Sequence, residues 1–113
     1  MPPVFIIIFE SNLNRRFDME IESTLYRGVI ECINNTIKHA KAKTVTIKIV
    51  DTGEQINMQY MDDGIGFDLH ETLALKKGLG LFNLQNRFQN IGGEIEMYSK
   101  PGQGVNYQMI VSI

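Results

Sequence analysis

Two runs of alternating apolar and polar residues, joined by a short turn, most constrain how this chain can fold. Residues 44–51 and 55–61 both show the period of two that indicates a strand with one buried face. Their apolar positions are Val45, Ile47, Ile49, Ile56, Met58 and Tyr60. The intervening Asp51-Thr52-Gly53-Glu54 is typical of a turn. The two runs are therefore predicted to pair as an antiparallel hairpin.

The second run ends in an acidic pair and two glycines, within residues 62–66. Glycine at positions 64 and 66 allows the backbone to take positive φ and allows a ligand to approach where a Cβ would collide. An ionised Asp62 can only accept hydrogen bonds and would repel phosphate, so a nucleotide would have to offer it a donor on the base. Taken alone, the same residues favour an ordinary turn.

Residues from about Glu20 or Ser23 to Ala40 have the period of an amphipathic helix. Its predicted buried stripe consists of Leu25, Tyr26, Val29, Ile33, Ile37 and Ala40. At about 100° per residue, four polar residues share the opposite face. They are Glu31, Asn35, Lys38 and His39.

This polar face has two interpretations. It could simply face solvent, with Arg27 and Glu31 forming an i,i+4 ion pair. Asparagine, however, disfavours a helix interior, and this helix carries both Asn34 and Asn35 near its middle. Glu31 and Asn35 are one turn apart, and a carboxylate and an amide oxygen so placed can hold Mg²⁺ and an ordered water.

A second amphipathic helix is predicted after a short flap at residues 68–77, beginning with Gly78-Leu79-Gly80-Leu81. Its predicted buried side consists of Leu81, Leu84, Phe88 and Ile91. Backbone N–H groups at a glycine-rich helix N-terminus can bind phosphate, although a plain glycine turn accounts for the same residues. Lys76 and Lys77 favour the phosphate interpretation slightly.

Three further strands complete the pattern. Residues 4–10 begin with a continuous apolar run and are predicted to form a buried strand. Residues 94–99 and 105–113 are predicted strands on either side of a tight turn. The order strand, helix, two strands, helix, two strands predicts an α+β fold with two layers, a mixed five-stranded sheet and the helices on one face.

Length and composition predict a single domain over residues 1–113. A formal net charge of -2 gives no general attraction to nucleic acid or to an anionic membrane. Cys32 is the only cysteine, which agrees with a reducing, cytoplasmic compartment and suits a small buried filler. The first apolar run is too short to cross a bilayer. The abrupt start in a strand leads us to expect a fragment of a longer protein.

Three motifs in register resemble the N box and the two glycine boxes of the GHKL ATP-binding superfamily, which includes gyrase, heat-shock chaperone, histidine kinase and mismatch-repair ATPases. They are Glu31-x-x-x-Asn35-x-x-Lys38-His39-Ala40, Asp62-x-Gly64-x-Gly66 and Gly78-Leu79-Gly80-Leu81. Residues 91–104 are similar to bacterial sensor histidine kinases, and residues 83–87 resemble the nitrate-sensor and membrane-fluidity-sensor branch. The likeness covers about residues 26–113 and implies the Bergerat-type sandwich, whose mixed sheet is mostly antiparallel.

The resemblance implies a site for ATP and Mg²⁺. Asp62 would accept a hydrogen bond from the adenine amino group, and Gly64 and Gly66 would leave room for the ring. Asn35 would hold Mg²⁺ beside the phosphates. Glu31 would orient a metal-bound water or assist proton transfer from the accepting group.

The resemblance also implies the phosphate contacts and the reaction. Lys38 would meet phosphate oxygens, and His39 would line the ribose and phosphate side. The remaining nucleotide-binding residues would be Lys77, Gly78, Leu79, Gly80 and Leu81. The implied reaction transfers the γ-phosphoryl group of ATP to a histidine on a dimerisation domain of the same protein. A response regulator would be an indirect partner, and any membrane contact would come through upstream segments.

The chain departs from the family pattern in two respects. Val105 stands where the family usually has a threonine that shares a water with the adenine-binding carboxylate. We therefore expect weaker nucleotide binding, and Val105→Thr should tighten it. The chain also lacks the long helical hairpin that carries the family's accepting histidine, so the isolated domain should bind Mg²⁺-ATP and turn over little.

Two other functions fit the same motifs. One is a serine kinase of the anti-sigma-factor kind, which has this fold and needs no histidine hairpin. The other is a non-catalytic nucleotide-sensing module, although such a module could dispense with Glu31 and Asn35.

Overall fold

The computed structural model describes residues 6–68 and 79–113. The strands are β1 (Ile6–Ser11), β2 (Thr44–Asp51), β3 (Gln55–Asp62), β4 (Glu94–Ser99) and β5 (Val105–Ser112). The helices are α1 (Met19–Asn35), which continues as a π-helical segment (Thr36–Ala40), and α2 (Leu79–Asn90). Within these ranges, no helix is long and apolar enough to cross a membrane.

One mixed sheet contains all five strands in the order β1-β2-β3-β5-β4. Strand β1 pairs with β2 in parallel, and the other three pairings are antiparallel. The predicted hairpin is confirmed, because Asp51 lies opposite Ile56 and the pairing continues to Val45 opposite Asp62. The sheet is therefore mixed and mostly antiparallel, as the sequence predicts.

Both helices pack on one face of this sheet. The alternating apolar positions of β2, β3 and β5 are buried together with apolar side chains of α1 and α2. Leu81, Leu84 and Phe88 of α2 are 3% exposed or less, which confirms the predicted buried side of this helix. Ile91 lies just beyond the helix and packs partly buried against the core. The two-layer α+β architecture is confirmed.

Strand β1 differs from the prediction because it is not buried. Its six residues are all exposed, with Ile6 at 67% and Phe9 at 59%. Among the described strands it occupies an edge of the sheet and pairs only with β2. A continuous apolar run specifies a strand without specifying what covers it, so the expectation of burial was wrong.

The buried face of α1 is built from smaller residues than predicted. Tyr26 and Ile37 are exposed, whereas Thr24, Gly28 and Cys32 are buried beside Leu25. A Cβ added to Gly28 would lie 3.3 Å from Phe88 Cε2, 3.4 Å from Leu84 Cδ1 and 3.5 Å from Met58 Cε. The helix thus approaches α2 and β3 too closely for large side chains, which is why small residues replace the predicted aromatic and aliphatic ones.

The last turn of the predicted helix is also different. The α-helix ends at Asn35, and Thr36–Ala40 form a π-helical segment followed by Lys41 with a left-handed φ of 49°. The predicted polar face assumed 100° of rotation per residue, and this value does not apply beyond Asn35. The angular positions predicted for Lys38 and His39 therefore do not hold. Short π segments are frequent at functional sites.

Candidate functional site

Asp62, the last residue of β3, is a buried carboxylate with 8% of its surface exposed. Its neighbours across the sheet are Val45 on β2 and Val105 on β5, both apolar and buried. The carboxylate therefore receives no hydrogen bond from a side chain of the sheet. Its Oδ1 accepts from the backbone N–H of Gly64 at 2.9 Å, and its Oδ2 accepts from the Thr36 hydroxyl at 2.9 Å.

A chain of hydroxyl groups continues from Asp62 into the protein. Thr36 Oγ1 and Tyr60 Oη lie 2.5 Å apart, and Tyr60 Oη is 3.1 Å from the carbonyl oxygen of Cys32. The Tyr60 ring stacks on Tyr107 with centroids 6.1 Å apart. Burial raises the pKa of Tyr60 well above its ordinary value, so the phenol stays protonated and can donate.

The loop after Asp62 packs against the turn between β4 and β5. The Gly66 backbone has φ of 63°, and a Cβ there would overlap the carbonyl oxygen of Lys100. Ser99 Oγ accepts from the Phe67 N–H at 3.0 Å and donates to the Gly104 carbonyl at 2.8 Å. Gly104 in turn has φ of 66° and abuts the Asp62 backbone.

The two glycines of this loop differ in conformation. Gly66 has a positive φ, whereas Gly64 does not and instead donates its N–H to Asp62. The space that a Cβ would fill at Gly66 is occupied by the chain's own backbone. Gly66 is therefore required for packing of the loop, whatever ligand the site binds.

A second close contact brings Glu31 on α1 against Gly80 at the start of α2. A Cβ on Gly80 would overlap Glu31 Oε1 and would lie 2.8 Å from Glu31 Cδ. Only a glycine lets the helix N-terminus approach the carboxylate this closely. The ion pair between Arg27 and Glu31 does not form among the described residues, where the ion pairs are Arg15–Asp51, Arg16–Glu22 and Lys48–Glu10.

Glu31 also lines an open groove between α1 and α2, with a volume of about 490 Å³. Gly80, Arg27 and Arg87 contribute to the same groove. Neither arginine has an ion-pair partner among the described residues.

One short stretch, from Glu31 on α1 to Thr36 at the start of the π-helical segment, therefore contacts both of the other predicted segments. Thr36 bonds to Asp62 at the end of β3, and Glu31 packs against Gly80 of α2. The two contact points are about 7.5 Å apart along the helix axis at 1.5 Å per residue. Asn35, between them in sequence, is half-buried.

The other predicted site residues have different environments. Lys38 is exposed in the π-helical segment, and Leu81 is buried in the core. Lys77 and Gly78 lie outside the described residues, as do the side chains of His39 and Leu79. The flap predicted at residues 68–77 lies outside the described residues beyond Asp68.

The structure adds three site residues that the sequence interpretation missed: Thr36, Tyr60 as a hydroxyl donor, and Ser99. A threonine disfavours a helix interior and often bonds through its hydroxyl. Its position directly after Asn35 was the signal that could have identified Thr36.

Cys32 is buried at 1% exposure, as expected for a filler. Burial, together with the negative charges of Glu31 and Asp62, raises its pKa strongly, so the thiol is neutral and unreactive. In residues 6–68 and 79–113, no three histidine, cysteine or acidic side chains form a metal-binding group.

Comparisons with known proteins agree with this architecture. Residues 20–112 match the family described as histidine kinase-, DNA gyrase B-, and HSP90-like ATPase. An uncharacterized sensor-like histidine kinase of Chloroflexus aurantiacus is 31% identical over 102 residues, covering 87% of this chain and 17% of that protein. The sensor histidine kinase ComP of Bacillus subtilis is 26% identical, covering 90% of this chain and 13% of that protein.

Solved structures show the same fold. The histidine kinase domain of the blue-light activated kinase of Erythrobacter litoralis EL346 superposes with a TM-score of 0.77 at 21% identity, covering 94% of this chain and 54% of that one. The Acinetobacter baumannii histidine kinase AdeS gives a TM-score of 0.76 at 16% identity, covering 96% and 54%.

The chain belongs to the histidine kinase-, DNA gyrase B- and HSP90-like ATPase family. It is a histidine kinase-type ATPase domain related to sensor kinases, so the predicted GHKL membership is confirmed. The chain spans less than a fifth of either curated relative, at 17% and 13%. The nitrate-sensor and membrane-fluidity-sensor branch stays a prediction.

Proposed function

We propose that this domain binds Mg²⁺-ATP and transfers the γ-phosphoryl group to a histidine on a separate dimerisation domain. The observation that carries the proposal is a pair of contacts on residues 31–36. Thr36, at the start of the π-helical segment, bonds to Asp62, and Glu31 of α1 packs against Gly80. A nucleotide site of this family needs a base-recognising end and a phosphate end. The two contacts supply chemically suitable groups for each.

Asp62 suits the base end. A carboxylate has about four lone-pair positions, and here one is used by Gly64 N–H and one by the Thr36 hydroxyl. The others can accept the exocyclic amino group of adenine. Guanine carries a carbonyl at that ring position, and its oxygen would face the carboxylate with lone pairs on both sides. The site should therefore prefer adenine.

Glu31 and Asn35 suit the phosphate end. Both are half-buried and lie one turn apart on α1. Mg²⁺ takes oxygen ligands and usually binds proteins through one or two side chains together with substrate phosphates and water. The donor set fits this habit, with Asn35 as the direct ligand and Glu31 acting through water. When bound, the ion would neutralise charge on the phosphates.

The chain's own residues would position the reacting groups. In the proposed transfer, an imidazole nitrogen of the acceptor forms the bond to the γ-phosphorus while the bond to the β–γ bridging oxygen breaks and ADP leaves. Glu31 would orient a metal-bound water or assist removal of the imidazole proton. Gly80 would keep the α2 N-terminus close to this carboxylate.

Several further contacts belong to the same proposal. Lys38 would meet phosphate oxygens, and His39 would line the ribose side. Lys77, Gly78, Leu79 and Leu81 would complete the phosphate-binding end.

The proposed direct partner is a histidine-bearing dimerisation domain of the same protein, with a response regulator as the indirect partner. The curated relatives are named as a sensor-like histidine kinase and a sensor histidine kinase, which favours histidine over serine as the acceptor. Because the chain spans only a small part of each relative, these partners are proposals for the whole protein.

The test compares two adjacent asparagines. Asn35→Ala should abolish phosphotransfer from Mg²⁺-ATP to an added histidine-bearing helical hairpin, because the metal ligand is lost. Asn34→Ala is the matched control, since Asn34 is exposed on the same helix and should retain transfer. Equal loss in both variants, or unchanged transfer in Asn35→Ala, would contradict the proposal.

A further inference from the structure

We propose that Thr36, held by Tyr60, is the positioning residue that aims the Asp62 carboxylate at the amino group of the base. The inference rests on the proposed function and assigns to the π-helical segment a task that the sequence resemblance assigns to a hydroxyl on β5. It makes Thr36 and Tyr60 part of base selection although neither is assigned to touch the nucleotide.

The geometry of the three residues supports this role. Thr36 is 3% exposed, Tyr60 is 1% exposed and Asp62 is 8% exposed, so water competes little for their hydrogen bonds. Thr36 Oγ1 lies 2.9 Å from Asp62 Oδ2 and 2.5 Å from Tyr60 Oη. The threonine hydroxyl is thus placed between the phenol and the carboxylate.

A count of protons gives the direction of the hydrogen bonds. Three oxygen–oxygen contacts join Asp62, Thr36, Tyr60 and the Cys32 carbonyl, but the two hydroxyls supply only two protons. An ionised Asp62 and a carbonyl oxygen can only accept. With the Thr36 proton donated to Asp62, the Tyr60 phenol proton is shared between Thr36 Oγ1 at 2.5 Å and the Cys32 carbonyl oxygen at 3.1 Å.

This direction strengthens the contact to Asp62. A hydroxyl that accepts a hydrogen bond becomes a better donor, because linked hydrogen bonds polarise one another. Burial keeps the Tyr60 phenol protonated, so the relay persists over the neutral pH range. Its fixed end is the Tyr60 ring, which is stacked on Tyr107 inside the core.

Across the sheet from Asp62, the described residues offer no competing hydroxyl. Val105 lies directly across the β3–β5 pair from Asp62 and is 7% exposed. Its methyl groups cannot donate a hydrogen bond. Thr36 is consequently the side-chain hydroxyl that contacts this carboxylate among the described residues.

The arrangement leaves defined lone pairs for the base. Gly64 N–H occupies Oδ1 and Thr36 occupies Oδ2 from opposite ends of the carboxylate. Rotation about the Cβ–Cγ bond would break both bonds, so the carboxylate plane is fixed. Loss of Thr36 should weaken recognition of the 6-amino group specifically.

The experiment measures calorimetric affinities for two Mg²⁺-nucleotides, ATP and purine riboside triphosphate, which lacks the 6-amino group. Thr36→Val keeps the side-chain shape and removes the hydroxyl. It should weaken ATP binding by about 5- to 10-fold, the equivalent of one ordinary hydrogen bond, because the Asp62 carboxylate itself is kept and only its orientation is lost. Binding of purine riboside triphosphate should change by less than about 2-fold. Thr36→Ser should retain the wild-type preference for ATP.

Tyr60→Phe provides an independent variant. It leaves Thr36 in place but removes its donor, so ATP binding should weaken by about 2- to 5-fold with the purine analogue again unaffected. If Thr36→Val does not fold, this comparison, with Thr36→Ser as control, decides the proposal.

Val105→Thr tests whether the hydroxyl position is interchangeable. It should tighten ATP binding more in the Thr36→Val background than in the wild type, because only there does Asp62 lack a hydroxyl partner. Equal effects of Val105→Thr in the two backgrounds would contradict the proposal.

The results separate this inference from the proposed function. If the wild type binds neither nucleotide, or binds both equally, the assignment of Asp62 to adenine fails. If the wild type prefers ATP and Thr36→Val and Tyr60→Phe leave that preference unchanged, only the role of Thr36 fails. Weakening of both nucleotides to the same extent would show a merely structural role and would overturn the inference.

Discussion

Gly80→Ala is expected to separate the stability of this domain from its activity. A Cβ at residue 80 would overlap Glu31 Oε1 and would lie 2.8 Å from Glu31 Cδ and 3.6 Å from Cγ. The clash is with the end of a flexible side chain, so the fold can accommodate it. The Glu31 carboxylate, however, would have to move by on the order of 1 Å to restore ordinary contact distances.

The effect on stability should be small because two contributions oppose each other. Forcing Glu31 from its preferred rotamer costs about 0.5–1.5 kcal/mol. Replacing a helical glycine with alanine gains up to about 1 kcal/mol. We therefore expect the free energy of unfolding, measured by urea titration, to change by no more than about 1 kcal/mol.

The effect on phosphotransfer should be much larger. A misplacement of about 1 Å in a reacting group can lower the rate about 100-fold. Transfer from Mg²⁺-ATP to an added histidine hairpin should thus fall by roughly that factor. Unchanged transfer in Gly80→Ala would refute the placement of Glu31 in the reaction.

Glu31→Ala provides the matched background. Without the Glu31 carboxylate, Gly80→Ala should escape the rotamer cost and keep the helix-propensity gain of up to about 1 kcal/mol, so its effect on stability should be more favourable than in the wild type. The same change in stability with and without Glu31 would show that the overlap makes no contribution.

Two further predictions concern other parts of the domain. Cys32 should not react with a thiol reagent at pH 8 in the folded domain, because burial raises the pKa of its thiol. It should react fully when the domain is unfolded in guanidinium. Rapid labelling of the native protein would contradict its burial. The Thr44 and Lys43 backbone N–H groups lower the pKa of Asp63 in the folded protein. The ionised Asp63 therefore stabilises the fold above the pKa that this carboxyl has in the unfolded chain, and this stabilisation is lost as the pH falls through its pKa in the folded protein. Thermal unfolding of Asp63→Asn should accordingly show less loss of stability on acidification than the wild type, and identical acid dependence would refute this account.

The sequence predicts the sheet well because its strands alternate. In β2 and β3 the period of two identifies both the strand and its buried face, and all their apolar core positions lie where they were expected. Strand β1 carries no alternation, so its exposure depends on which part of the sheet the helices cover. That is a property of the topology and not of residues 6–11.

The details of α1 could not be predicted for a related reason. Hydrophobicity favours Tyr26 and Ile37 as core residues, but the residues buried beside the closely packed Gly28 are the small Thr24 and Cys32. The change to a π-helical segment after Asn35 alters the rotation on which the predicted polar face depended. Helical periodicity alone predicts neither the small buried residues nor the π-helical segment.

The candidate site was predicted in its residues but not in its supporting contacts. Asp62, Glu31 and Gly80 were all singled out from their motifs. Thr36 and Tyr60 were not, because the bond from a helix to the end of a strand 26 residues away is formed only in the folded chain.

Calorimetric titration of Asp62→Asn and Asp63→Asn with Mg²⁺ and a non-hydrolysable ATP analogue tests the central claim most directly. The two variants make the same chemical change at adjacent residues, one buried beside Thr36 and one exposed. Asp62→Asn should weaken binding by about 10- to 150-fold, the value of a hydrogen bond to a charged group, and Asp63→Asn should bind like the wild type. Wild-type affinity in Asp62→Asn, or the same loss in both variants, would contradict the account.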